Sequence, residues 1–436
     1  MSEIVVVGGG LAGTEAAFQL ARRGHRVVLY EMRPGVSTPA HRTDGLAELV
    51  CSNSLKSEEL ANAHGLLKAE LRELGSLLLD VADVARVPAG AALAVDRELF
   101  SRGVGRAIEA HPNIRVCREE IRELPAAPAI IATGPLTSDS LGDSIRRRLG
   151  AESLYFFDAI APIVSTESIN EGESFRASRY GKGRDDAYIN CPLTREGYEA
   201  LRETLISGEV FNTHDWDRVP YFEGCLPIEV LAARGKDALR FGPLKPVGLK
   251  DPRTGRIPYA VVQLRQEDRA GRMWGLVGFQ TRLRYPEQRR AIGGIPALEH
   301  ADILRYGQIH RNSYVNFPKL LAPHGSPPDE PALIFAGQMT GVEGYVESTA
   351  SGLLAALTLD RLQRGLEPTL PPPTTILREA EPTNFQPMNA NFGLLDPLPG
   401  RVRGRRARRD ELAARAMHDI RVWMAGASDS PDDASR

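Results

Sequence analysis

The sequence predicts an α/β protein: a Rossmann-like dinucleotide-binding domain built from discontinuous segments, with a mixed α+β insertion domain. Three stretches predict it. Ile4 to Arg33 reads as strand, glycine turn, helix and strand; Ala129 to Pro135 (AIIATGP) is an apolar strand ending in Thr-Gly; Ala332 to Leu354 is strand, glycine-rich turn and helix. Between the second and third stretches the chain changes character, as an insertion would require.

In the first stretch, Ile4 to Val7 is an apolar, β-branched run of the length of one buried parallel strand. Gly8, Gly10 and Gly13 fall in the G-x-G-x-x-G register, with Gly9, Leu11 and Ala12 between them, and a small-residue helix follows from Thr14 to Arg23. Gly8 allows the tight turn, Gly10 lets backbone approach a pyrophosphate, and Gly13 lets helix pack on strand. The helix N-terminus presents free N–H groups to phosphates. Gly24 closes the helix, and a strand from Arg26 to Tyr30 delivers Glu31, placed to accept both ribose hydroxyls. An acid there favours a free 2′-OH, hence FAD or NAD over NADP. The alternative is a glycine-rich turn in an ordinary βαβ unit, but the strand, the helix and the acid all accompany the motif.

After Glu31, Met32 to Asn62 is polar and irregular, and a loop of that length is usually functional. Leu66 to Leu79 has the spacing of one amphipathic helix, Arg86 to Val95 of a strand or hairpin, and Asp96 caps a helix to Ala110. Ile114 to Val116 is a short strand. Ala129 to Pro135 has the form with which FAD proteins re-enter the cofactor domain, which places Thr133 and Gly134 at the cofactor. From Gly150 to Pro328, strand-like runs such as YINCPL and YAVVQLR alternate with polar loops, and no second G-x-G-x-x-G occurs. In Ala332 to Leu354 a buried strand ends in Gly337, and a helix starts at about Tyr345. That arrangement closes an FAD fold, and the predicted architecture becomes a Rossmann-like FAD-binding domain. The expected division is 1–150 and 329–425 for that domain, 151–328 for the substrate-facing insertion, and a disordered tail over 426–436.

Composition narrows the class. A length of 436 residues allows roughly two to three domains. No apolar run approaches the eighteen or so residues of a membrane span. The first strand begins at residue 4, so no signal peptide is expected. Cys51, Cys117, Cys191 and Cys225 form no CxxC, and the histidines show no HxH or HExxH spacing, so neither a metal site nor a disulfide framework is expected, in keeping with a cytoplasmic protein. Only seven of the 54 basic residues are lysines. Arginine's planar fork suits phosphate, although genome composition produces the same bias. Arg401, Arg403, Arg405, Arg406, Arg408 and Arg409 crowd the start of a C-terminal helix reaching about Met424. Such a run is a solvated face, or an electrostatic footprint beside a phosphate-rich partner.

The three stretches together resemble the glucose-inhibited-division type of tRNA-modifying flavoproteins. The blocks ELVCSNSLKS, SRYGKG, YINCPLT, FEGCLPIEV, RFGPLKPVGL, GFQT, HRNSYVN, FAGQMTGVEGYVES and QPMNANFG narrow this to the bacterial folate- and FAD-dependent tRNA uracil-5-methyltransferases. The resemblance runs from Gly8 to about Gly393. The related wobble-uridine enzymes carry an additional helical C-terminal domain for which this chain has no room.

What the resemblance implies is a reaction. A thiolate adding to C6 of uracil makes C5 nucleophilic. The one-carbon unit comes from methylenetetrahydrofolate by way of flavin N5, is reduced to methyl by flavin hydride, and NAD(P)H re-reduces the FAD. Cys225 is the implied uracil nucleophile, and Cys51 is implied to stand beside the flavin. Gln338, Thr340, Gly341 and Glu343 are implied to follow the flavin or folate edge. Tyr345 either stacks on a ring or is a packed helix residue. Arg179, Lys182, Arg282, Arg284 and Arg311 are candidate contacts for tRNA phosphates or folate glutamates, each also readable as a surface charge. Cys117 and Cys191 are read as packing residues. The implied substrate is the T-loop of tRNA, its target base flipped toward Cys225. The sequence leaves open the oligomeric state and the choice between NADH and NADPH. Competing readings are the wobble-uridine reaction, a tRNA-binding protein with structural FAD, and a plain NAD dehydrogenase, which would be colourless.

Overall fold

The computed structural model describes residues 3–38, 40–150, 154–159, 161–181, 187–211, 226–314, 317–377, 389–400 and 402–428. Its organising sheet is parallel and five-stranded. The strands lie in the order Leu333–Phe335, Ala129–Ile131, Ile4–Val7, Val27–Tyr30 and Ile114–Cys117. Each is a short run of Val, Ile, Leu or Ala, as expected of strands covered on both faces. On one face Ile4, Val6, Leu29 and Ile130 join the main core with the helices Leu11–Ala21 and Tyr345–Gln363. On the other, Val7, Ile131 and Phe335 pack on Leu141 and Ile145 of the helix Asp139–Leu149.

The helix Leu11–Ala21 begins directly at the glycine turn, three residues before the Thr14 expected from composition. It packs closely on Tyr345–Gln363, where a Cβ at Gly352 would lie 2.1 Å from the Ala12 carbonyl oxygen. The expected single helix over Leu66 to Leu79 is two helices, Ala63–Glu73 and Leu77–Val84. The break falls at Gly75, with φ +69°, and at Ser76, whose side chain accepts from the Leu79 N–H at 3.4 Å, and a distant group reinforces it. Buried Glu15 accepts hydrogen bonds from Ser76 Oγ and from the Leu77 and Leu78 N–H groups, at 2.9, 3.2 and 3.0 Å. That carboxylate caps a new helix start. The hairpin appears as Arg86–Val87 and Ala92–Val95, with Ser54–Ser57 as its third strand. Asp96 caps the helix Arg97–Glu109 through the Glu98 and Leu99 N–H groups, as predicted.

Beyond residue 150, the strands Leu154–Ala159 and Ile309–Tyr314 pair antiparallel as the outgoing and returning connections. Between them stands a six-stranded sheet in the order Phe175–Arg176, Tyr188–Leu193, Ala260–Gln266, Met273–Leu276, Ile163–Ser165, Ile303–Arg305. It carries its own core, including Ile189, Val262, Leu264, Trp274, Tyr198 and Leu201. Cys191 lies fully buried in that core, where burial pushes its thiol up to about 12, as a packing residue should. Cys117 is half-buried at a strand end, its sulfur accepting from Arg115 at 3.0 Å. The C-terminal helix spans Arg405–Ser428 and buries Leu412, Ala413, Ala416 and Ile420 in the main core. Of the expected disordered tail, residues 429–436 lie outside the described residues. No helix among the described residues is long and apolar enough to cross a membrane.

Candidate active site

The glycine turn has the geometry its motif requires. Gly8 adopts φ +106°, and a Cβ there would lie 2.5 Å from the Ala132 carbonyl oxygen, so the turn fits against the Ala129–Ile131 strand end. A Cβ on Gly13 would lie 1.8 Å from the Gly8 carbonyl, which fixes the helix on the turn. A Cβ on Gly10 would meet nothing within 4 Å. Gly10 therefore faces open space, and no side chain caps the helix that follows it. An uncapped helix start with an open glycine suits a pyrophosphate. Gly8, Gly9, Gly10, Glu31, His41 and Thr133 line one cleft together with Leu136–Ser138. These residues fit the adenosine and pyrophosphate part of an FAD.

Glu31 lies where the motif puts it, but its carboxylate is fully engaged. Oε1 accepts from Arg33 N and Nε at 3.0 and 2.9 Å; Oε2 accepts from Gly9 N and an Arg33 terminal nitrogen at 3.0 and 3.1 Å. A carboxylate has about four acceptor sites, so binding a ribose pair requires Arg33 to turn aside. Burial opposes the charge on Glu31, but Arg33 outweighs it and holds the carboxyl below its usual range. Arg33 also reaches Glu48 at 3.0 Å. His41, half-buried and facing Arg33, is pushed down to about 4 by desolvation and the Arg33 charge and is neutral near pH 7.

The third segment closes on the first: a Cβ on Gly337 would lie 2.8 Å from Ala12 Cβ. Gln338, Thr340 and Gly341 stand beyond the cleft that Glu31 lines. Gln338 donates to Glu343 at 2.9 Å, and the Thr340 hydroxyl donates to the Gly337 carbonyl at 2.8 Å. Thr133 Oγ1 lies 2.6 Å from Thr137 Oγ1, and Gly134 sits at φ +68°.

Cys51 and Tyr345 are brought together from opposite ends of the chain. The Tyr345 hydroxyl accepts from the Cys51 and Ser52 N–H groups at 2.8 and 3.2 Å and lies 3.0 Å from Cys51 Sγ. Tyr345 packs against the main core. Its hydroxyl holds the thiol loop, and burial keeps it protonated. Two half-buried guanidiniums complete the surroundings. Arg97 donates to the Leu49 carbonyl at 3.1 Å and to Glu267 at 3.0 Å. Arg305 donates to the Val50 carbonyl at 2.7 Å, and burial, with repulsion from Arg97 and Arg42, lowers it to about 10. Cys51 interacts electrostatically with both guanidiniums. Arg265 then ties the loop to the insertion sheet through Asn53 Oδ1 at 2.8 Å and Ser52 Oγ at 3.2 Å.

The remaining candidates divide. Arg179 donates to the Lys245 and Val247 carbonyls and to Gln263, at 2.7, 2.6 and 2.7 Å, and so clamps the insertion sheet. Arg282 is half-buried, 3.5 Å from Glu229. Arg284 is exposed. Cys225 and Lys182 lie outside the described residues, as does the side chain of Arg311. Arg33, Arg97 and Arg305 were not singled out from sequence, where one arginine among so many carries no signal.

Over residues 3–367 the chain matches the family model described as glucose inhibited division protein A. It is 56% identical over 430 residues to the methylenetetrahydrofolate–tRNA-(uracil-5-)-methyltransferase TrmFO of Desulforudis audaxviator, covering 97% of this chain and 98% of that protein. It is 50% identical over 433 residues to the protein of the same description from Thermus thermophilus, covering 98% and 97%. Among solved structures, GidA of Aquifex aeolicus superposes with a TM-score of 0.63 at 17% identity, over 84% of this chain. The chain spans 64% of that protein's length, and the likeness bears on the fold alone. The family match and the near full-length identity agree: the chain belongs to the glucose inhibited division protein A family, in the branch formed by the TrmFO proteins.

Proposed function

We propose that this protein methylates C5 of the T-loop uridine of tRNA, forming ribothymidine. Methylenetetrahydrofolate is the one-carbon donor, and NAD(P)H supplies the reducing equivalents. The observation that carries this reading is the Cys51 thiol, held against the Tyr345 hydroxyl between the charges of Arg97 and Arg305. It stands on the loop between the strands Val27–Tyr30 and Ser54–Ser57, which Arg265 of the insertion sheet holds through Asn53 and Ser52. FAD bound here and reduced by NAD(P)H would supply the hydride that takes the one-carbon unit to the methyl level.

The chain's own residues then have distinct tasks. Gly8, Gly10 and Gly13 shape the turn, and the start of the helix Leu11–Ala21 holds the pyrophosphate. Glu31 takes the ribose once Arg33 releases it. Cys51, held by the Tyr345 hydroxyl, manages protons and the one-carbon unit beside the flavin. Cys225 adds as thiolate to C6 of uracil, so that the electron pair at C5 forms the new carbon–carbon bond. The C5 proton then leaves, and elimination frees the thiolate. We assign residues 1–150 and 329–425 to the cofactor domain and 151–328 to the substrate domain, supported by the separate sheets, and we place the protein in the cytoplasm with its tRNA.

The test is to incubate purified protein with NAD(P)H, methylenetetrahydrofolate and unmodified tRNA, then digest the RNA and look for 5-methyluridine. Its absence, or a need for S-adenosylmethionine, overturns the proposal. Cys225→Ala is expected to abolish methyl transfer and leave the protein yellow; retained transfer removes Cys225 from the mechanism.

A further inference from the structure

Beside the Cys51 site the surface carries an aromatic cluster. Phe211 and Tyr285 are 38% and 40% exposed. The Phe211 and Tyr285 ring centroids lie 5.5 Å apart, and those of Tyr285 and Tyr306 4.7 Å apart. Large rings left in water at this density are not explained by core packing.

The cluster is held rigidly. Backbone bonds from Phe211 N to the Arg282 carbonyl and from Arg284 N to the Glu209 carbonyl, both 2.9 Å, set Phe211 beside the start of the helix Tyr285–Gly293. Buried Gln288 donates to the Leu283 and Gly307 carbonyls at 2.6 and 2.9 Å and accepts from Gly307 N at 2.7 Å. That fixes the Tyr306 loop against the same helix. Even the hydroxyls are pinned, Tyr285 by Gln308 at 3.0 Å and Tyr306 by Arg289 at 2.7 Å.

Cations surround the rings. Arg289 and Arg284 are exposed, the latter 3.5 Å from the exposed carboxylate of Glu209. Arg42 reaches Gln308 at 3.2 Å. The platform also borders the thiol, because Arg305, next to Tyr306, holds the Val50 carbonyl beside Cys51. Exposed rings interleaved with guanidiniums suit unpaired bases, which stack on aromatic faces while cations take the backbone. A uridine presented for reaction at C5 must leave its stack, and its neighbours then need other faces to cover them.

We propose that Phe211, Tyr285 and Tyr306 form a stacking platform for unpaired bases of the RNA substrate at the mouth of the Cys51 site, with Arg42, Arg284 and Arg289 taking the adjoining phosphates. The proposal rests on the tRNA methyltransferase reading and adds where the RNA lies. The experiment measures binding of unmodified tRNA to the flavin-bound full chain by filter binding across a salt series. Tyr285→Leu and Tyr306→Leu are each expected to weaken binding about tenfold with the salt slope unchanged, and Tyr285→Phe to keep wild-type affinity. Arg289→Gln is expected to lower the slope of log K against log salt by roughly 1. Leucine variants that bind as wild type overturn the proposal. So does a raised KM for methylenetetrahydrofolate with tRNA affinity intact, which would give the rings to the folate. Should a leucine variant lose its flavin and with it its fold, Arg42→Gln and Arg284→Gln decide: an unaltered salt slope overturns the platform. Wild-type protein that neither binds nor methylates tRNA overturns both readings, whereas active wild type matched by its variants overturns the platform alone.

Discussion

Lys68 offers a sharp test of the energetics beneath the thiol loop. It is fully buried on the helix Ala63–Glu73 and donates to the Leu55 carbonyl at 2.7 Å and the His64 carbonyl at 2.9 Å. Burial lowers its pKa from 10.5 to about 7, against the pull of Glu347 and Glu58 and with the push of Arg72 and Lys56. In the unfolded chain the amine stays protonated up to about pH 10.5, so between pH 7 and 10.5 the unfolded state binds more protons and stability rises with pH. From that shift the lysine costs the fold about 4 kcal/mol at pH 7 and only about 1 kcal/mol at pH 9.5. Lys68→Met keeps the volume, removes this cost and strands the Leu55 carbonyl, a loss of about 2 kcal/mol. The His64 carbonyl keeps its helical N–H partner. Lys68→Met is therefore expected to be more stable than wild type by about 2 kcal/mol at pH 7 and less stable by about 1 kcal/mol at pH 9.5. Urea unfolding of both proteins, followed by tryptophan fluorescence at each pH, measures the difference. A difference that does not change with pH, or that changes in the opposite direction, refutes the reasoning.

Two further perturbations probe the site. Gly10→Ala and Gly13→Ala separate fold from cofactor: the first places its methyl in open space and the second 1.8 Å from the Gly8 carbonyl. Gly10→Ala is expected to melt near wild type without FAD yet bind FAD weakly, and Gly13→Ala to lose both; a fully yellow Gly10→Ala protein would show that no phosphate approaches that backbone. Tyr345→Phe removes the acceptor shared by the Cys51 and Ser52 N–H groups, which is expected to cost about 1–3 kcal/mol and to slow methyl transfer. An unchanged thermal midpoint and rate would show that the hydroxyl is dispensable.

What was legible in the sequence was local. The glycine turn, Asp96 as a cap and the strand leading to Gly337 each depend on neighbours a few residues away. The single helix over Leu66 to Leu79 failed partly on local signals that outweigh its apolar spacing, Gly75 and the Ser76 cap, and partly on Glu15, which reinforces the break from another helix. Glu31 was correctly placed, but its partner was not, since Arg33 engages it only through the fold of the loop toward Glu48. The pairing of Cys51 with Tyr345 spans 294 positions and has no periodicity to betray it. Resemblance points to both residues; the fold supplies the hydrogen bonds between them.

The order of strands in the parallel sheet bears on how the protein is made. Ala129–Ile131 lies between Ile4–Val7 and Leu333–Phe335. As the chain leaves the ribosome, its first four parallel strands emerge long before the fifth. Until then Ala129–Ile131 has one open edge, and such edges invite pairing with other chains. The helix Leu11–Ala21 likewise waits for Gly352 to cover it. The insertion, with its own sheet and core, has every residue it needs before that partner arrives. Cofactor loading therefore belongs to the end of synthesis, and a chain truncated before Leu333 would present the whole nucleotide motif and still lack a closed site for it.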